Sequence, residues 1–154
     1  FCKAGDFPRI LLHFKEHGFA PEIEDERWIA KVGRGDGFFD RHARLKVIAS
    51  HGGAALPYLV GRFDKGSHVS TLEDRVIERP PSEYLRHIYY DCITYDPRAL
   101  EYCIDVVGAS QVLFGSDYPH IVGDMAGMRA NVDRLPEASA RQVRHLNAER
   151  IFRL

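Results

Sequence analysis

The sequence predicts an α/β fold built on a parallel sheet, and three observations carry that reading. Short apolar stretches at residues 45–50, 86–93 and 111–115 have the length and composition of strands. A segment with helical spacing follows each, so strand and helix alternate in the rhythm of βαβ units. The stretches are close to continuous apolar runs, as expected of strands covered on both faces.

Residues 1–37 form an N-terminal segment of unclear assignment. Residues 7–13 suggest a short strand. Residues 21–31 suggest a helix with acidic residues in its first turn and Trp28 and Ile29 on one face, broken by Gly33, Gly35 and Gly37. From residue 38 to 154 the pattern is regular. The first clear strand, 45–50, ends at His51-Gly52-Gly53. Residues 56–63 then take helical spacing, with Pro57 tolerable because it stands near the helix start. Residues 67–81 are polar and read partly as loop. The second strand, 86–93, leads to Asp96-Pro97, a good helix cap followed by proline at the first helical position. That helix runs through Leu100, Ile104 and Val107 to Gly108. The third strand, 111–115, ends at Ser116-Asp117, and residues 125–135 and 139–152 close the chain as helices.

Composition narrows the function. The chain has 154 residues and a formal net charge of −1, with both signs scattered. No clustered basic face marks a nucleic-acid binder. No apolar run approaches the ~18 residues of a membrane span, and no signal-peptide pattern opens the chain. The first residue is Phe1, which suggests a cut product or a gene fragment. Cys2, Cys92 and Cys103 are odd in number and form no C-x-x-C, so a reducing cytoplasm and buried thiols are expected.

In parallel α/β folds, functional side chains stand where strands end and loops begin. His51 ends one strand, before two glycines. Asp117 ends another, inside Phe114-Gly115-Ser116-Asp117-Tyr118-Pro119-His120. In a closed barrel both would face one mouth, where a carboxylate and an imidazole can bind a metal or share acid–base work. Each residue has a plainer reading: His51 as a turn or capping residue, and Asp117 as a helix cap.

The stretch from Arg41 to Gly53, with Ala55-Leu56-Pro57-Tyr58 after it, resembles the sixth-strand region of the amidohydrolase-related family. Phe114 to His120 resembles that family's eighth-strand motif, and Asn147-Ala148-Glu149-Arg150-Ile151-Phe152 its closing helix. The resemblance spans residues 38–154 in the correct order. It is strongest toward the decarboxylase branch around aminocarboxymuconate-semialdehyde decarboxylase.

It implies the C-terminal part of a metal-dependent hydrolase-type (β/α)8 TIM barrel. A complete barrel typically has roughly 250 residues. It implies Asp117 as a ligand of a divalent metal, zinc first and manganese second. It implies His51 as general acid/base, and Arg62 as a substrate-carboxylate contact reaching into a partner subunit's active site. The expected partners are a small carboxylic acid and a second copy in the complete enzyme. The implied reaction is non-oxidative decarboxylation of a small unsaturated or aromatic acid, which needs charge stabilisation, a grip on the carboxylate and a proton donor. Hydrolysis of a lactone, amide or ester is the alternative, and a non-catalytic truncated remnant is a third.

The sequence departs from the family in lacking any His-x-His, the pair carried at the end of the family's first strand. For the fifth-strand ligand, His13 is the one stand-in, and an incidental histidine is the plainer reading. His13-Phe14-Lys15-Glu16-His17 also fits the H-x-x-E-H pattern of inverted zincins. His42, His68, His87 and His145 read as solvated. His120 reads as either a pocket residue or a cap for the next helix. With so few ligands, the chain by itself is expected to be inactive.

Overall fold

The computed structural model describes residues 38–42, 44–69, 77 and 79–154. The strand expected at residues 7–13, the helix at 21–31, Cys2, His13 and His17 lie outside the described residues.

Three short strands form a parallel sheet. β1 (Ile48–Ala49), β2 (Tyr89–Asp91) and β3 (Val112–Leu113) lie side by side in chain order. Ile48 pairs with Tyr89 and Ala49 with Tyr90, then Tyr90 with Val112 and Asp91 with Leu113. Parallel neighbours need a crossover, and helices supply it. α1 (Phe38–Arg41) precedes β1. α2 (Leu56–Val69) and α3 (Pro81–Leu85) join β1 to β2, and α4 (Pro97–Val107) joins β2 to β3. α5 (Met125–Asp133) and α6 (Glu137–Arg141) follow β3. A π-helical turn (Gln142–Leu146) and α7 (Asn147–Phe152) continue from α6 with right-handed helical backbone at each junction. Adding each βα unit beside the last, without a change of direction, is how a (β/α) barrel grows.

The strands are shorter than the apolar runs that announced them, because the ladder covers only their middles. α2 runs past its expected end at residue 63, and α3 begins at Pro81, the last residue of the stretch read as partly loop, and fills the gap before the second strand. Pro81 explains α3: a proline at the first helical position gives up no hydrogen bond. α4 matches its expected start and stop. The Asp96 carboxylate accepts from the Arg98 N–H at 2.9 Å, and the Arg98 side chain beside it holds that carboxyl down at about 2.

The core follows from the same periodicities. Leu100, Cys103 and Val107 form the buried stripe of α4, and Leu56 and Phe63 that of α2. They pack with Tyr90 and Cys92, which point to one face of β2, and with Val112, Met128, Val132 and Val143. Ile48, Tyr89, Asp91 and Ile93 stay half-buried. The expectation of strands covered on both faces therefore holds for one face only among the described residues, since their helices pack on the side of Tyr90 and Cys92. Buried Asn147 ties α7 to the sheet: its side-chain amide donates to the carbonyls of Ala109 (2.8 Å) and Val112 (2.7 Å). Among the described residues, no helix is long and apolar enough to cross a membrane.

Candidate active site

His51, Tyr95 and Asp117 follow the C-terminal ends of β1, β2 and β3, and each has a left-handed backbone, with φ of 57°, 57° and 62°. Ala54 also has a positive φ, 50°, with ψ of −118°. Residues with a Cβ adopt this region rarely and at a cost of about 1–3 kcal/mol, so such positions persist only where their surroundings enforce them. Four of the five described non-glycine residues with positive φ lie along this rim, the fifth being Arg153 near the end of the chain.

At β1 the chain enters a tight turn, His51–Gly53, closed by the Gly53 N–H on the Ser50 carbonyl at 3.0 Å. The two glycines are required. A Cβ on Gly52 would meet the Thr94 methyl at 2.7 Å, and one on Gly53 would meet the buried Tyr90 ring at 2.5 Å. The turn is held from β2 by Asp91. One carboxylate oxygen accepts the His51 N–H, and the other accepts the N–H groups of Gly52 and Ile93, each at 3.0 Å.

At β3 the chain passes through Asp117 and a cis Tyr118–Pro119 peptide into a loop that returns on itself. The Asp124 N–H reaches the Ser116 carbonyl at 2.9 Å. Asp124, whose carboxylate accepts from the Gly127 N–H at 2.8 Å, caps α5. The capping alternatives for Asp117 and His120 are thereby corrected: the cap came seven residues after Asp117, next to the helix it serves. His120 is exposed on the loop, beside exposed Tyr118, Ile121 and Val122.

Tyr95 joins the two sides. Its hydroxyl stands 3.0 Å from an Asp117 carboxylate oxygen and 2.8 Å from the Val122 carbonyl, one proton facing two acceptors. Partial desolvation, then the bond to Asp117, raises the phenol's pKa. Tyr95 also lines a cleft of about 520 Å³ with His51, Pro57, Tyr58, Ile93 and Tyr102 among its walls. His51 is exposed there and Asp117 half-buried. The two residues thus follow second-neighbour parallel strands at the same end of the sheet; Tyr95 bonds Asp117 and shares the cleft lining with His51, while Asp117 lies outside that lining. Arg62 lies on α2, one turn beyond Tyr58, exposed and outside the cleft lining. His87 and His145 are exposed.

Sequence reasoning missed Asp91 and Tyr95. Asp91 had a signal: a carboxylate at the end of an apolar strand, the same pattern that singled out Asp117. Tyr95 had none, because its partners stand 22 and 27 residues away. Among the described residues, no three His, Cys, Asp or Glu side chains come together as a metal site. Asp117 offers one carboxylate, whereas a catalytic zinc usually wants three protein ligands. The donor set among the described residues does not by itself fit a bound metal.

A family model described as amidohydrolase matches residues 34–154. The chain is 31% identical over 90 residues to a 2-amino-3-carboxymuconate-6-semialdehyde decarboxylase of Dictyostelium discoideum, an alignment covering 58% of this chain and 25% of that protein. Among solved structures, 5-carboxyvanillate decarboxylase from Sphingomonas paucimobilis superposes with a TM-score of 0.70 at 31% identity, over 80% of this chain and 38% of that one. A dihydroxybenzoic acid decarboxylase from Polaromonas sp. JS666, with bound manganese and the inhibitor 2-nitroresorcinol, gives 0.67 at 25% identity, over 80% and 37%. The chain spans well under half the length of each of these proteins.

Proposed function

Because this chain belongs to the amidohydrolase family and forms part of its (β/α)8 barrel, we propose that its protein removes CO2 from a small aromatic or unsaturated carboxylic acid. The observation that carries the reading is the rim itself: His51 and Asp117 at the same end of the sheet, both left-handed, with His51 lining a cleft walled by Tyr58, Tyr95 and Tyr102 and Asp117 bonded to Tyr95 just outside that lining. A volume of about 520 Å³ lies within the range of small-molecule sites, and aromatic walls with a few polar groups suit a single-ring acid.

In this reading His51 is the proton donor. The bond from the ring or vinyl carbon to the carboxylate breaks, its electron pair stays on that carbon, CO2 leaves, and a proton from His51 takes its place. Imidazole is the side chain most often used to deliver a proton to a reacting group. Arg62 is proposed to pair with a substrate carboxylate in a neighbouring subunit's site, which its exposure and its place beyond the cleft allow. Asp117 is proposed as this chain's ligand to a divalent ion, zinc or manganese. Manganese is favoured by its presence in the Polaromonas relative.

The test is a product assay on the longest gene product that contains this chain, using dihydroxybenzoates, a carboxyvanillate, a carboxymuconate semialdehyde, and a set of lactones, amides and esters. We expect CO2 and a decarboxylated product in equal amounts, lost on chelation and restored by manganese or zinc. Hydrolysis of the lactones, amides or esters without CO2 would transfer the site to the hydrolase reading. Turnover of neither set would leave a non-catalytic remnant.

A further inference from the structure

We propose that Asp91 is the positioning residue of this site, its carboxylate setting, through the backbone of the His51–Gly53 turn, the direction in which the His51 imidazole enters the cleft. The inference rests on the reading of His51 as the proton donor. Asp91 is the last residue of the central strand, paired with Leu113 on β3, and its side chain reaches across to the end of β1. It takes three backbone N–H groups on two oxygens: His51 on Oδ2, Gly52 and Ile93 on Oδ1.

Those donors stand where the β1 and β2 ladders have ended, so the sheet offers them no carbonyl. An anionic acceptor serving several N–H groups makes strong, directional bonds. What it holds is a conformation that His51 would otherwise avoid: φ of 57° at His51, followed by 61°, 78° and 50° through Ala54. Rotating the His51 backbone to an ordinary extended or right-handed state would swing its Cα–Cβ bond, and with it the imidazole. No other side chain among the described residues is recorded bonding to this turn's N–H groups, and Asp91 itself lies outside the cleft lining. It therefore acts through His51.

The split of donors between two oxygens makes the claim testable. In Asp91→Asn the remaining carbonyl oxygen can keep Gly52 and Ile93, but the new NH2 faces the His51 N–H, donor against donor. Amide hydrogen exchange of the full chain, read by NMR, separates the three. We expect exchange at His51 to rise at least about tenfold, the change that loss of one charge-assisted hydrogen bond produces. Gly52 and Ile93 should hold to within a few-fold, Tm should stay close to wild type, and the His51 imidazole signals should shift. In a protein that turns over its acid, kcat should fall by about tenfold or more with KM little changed, because the substrate still binds while the proton donor is misaimed.

Unchanged exchange and imidazole signals at His51 would overturn the proposal. So would acceleration of all three amides together with a lowered Tm, which describes a general stabiliser. If the wild-type protein decarboxylates nothing, the functional reading falls by itself, while the exchange data still decide whether Asp91 sets His51.

Discussion

Tyr95, the fourth residue after the end of β2, places its hydroxyl 3.0 Å from the carboxylate of Asp117, the fourth residue after the end of β3. One phenol thereby holds the carboxylate proposed as a metal ligand and, through the Val122 carbonyl, the loop behind it. The ring is exposed, so Tyr95→Phe should leave the fold intact. Groups that orient metal ligands typically cost about 10–100-fold in affinity when removed. We expect that loss in a manganese titration of the metal-binding protein, with little change in Tm. Equal affinity in both proteins would show that Asp117 needs no help from Tyr95.

The two rim residues have separable roles. In the full-length parent protein, Asp117→Ala should abolish stoichiometric metal binding and metal-dependent turnover. His51→Ala should keep the metal while lowering turnover by about 10²–10⁴, the usual worth of a general acid. Metal analysis beside a rate assay distinguishes them, and equal metal loss would make His51 a ligand too. Residues 1–154 alone should show neither stoichiometric metal nor turnover. Stoichiometric metal with activity lost on chelation would overturn that expectation.

Asn147 should dominate the attachment of the last helix. Its amide serves two carbonyls at once, and it is 3% exposed. Asn147→Leu would leave the carbonyls of Ala109 and Val112 without that donor and crowd the core. The Ala109 carbonyl keeps the Val112 N–H, so we expect a loss of about 2 kcal/mol by urea denaturation, the order of one unsatisfied buried acceptor at Val112.

The two described cysteines should be chemically silent. Burial pushes the Cys92 thiol up to about 11 and the Cys103 thiol to about 12, from an ordinary 9.0. Each therefore keeps its proton in the folded chain over a range where the unfolded chain has lost it. Stability must then fall as pH rises above 9.0, through the window up to about 11 for Cys92 and about 12 for Cys103. A Cys92→Ala/Cys103→Ala variant should lose less Tm than wild type between about pH 8 and about pH 10. Thiol reagents at about pH 8 should react far faster with unfolded than with folded chain.

What the sequence determined by itself was local: apolar runs long enough for strands, the Asp96-Pro97 start and Gly108 stop of α4, and the glycines after His51. These depend on φ/ψ preference and on neighbours within a turn, so they can be read residue by residue. It also placed His51 and Asp117 at strand ends, because in a parallel sheet chain direction alone says which end a residue takes. Tertiary structure alone decided what those residues touch. Asp91 reaches His51 across 40 positions of chain and Tyr95 reaches Asp117 across 22. Such pairs follow from strand order and register, which arise only when the helices bury their stripes and bring β1, β2 and β3 side by side.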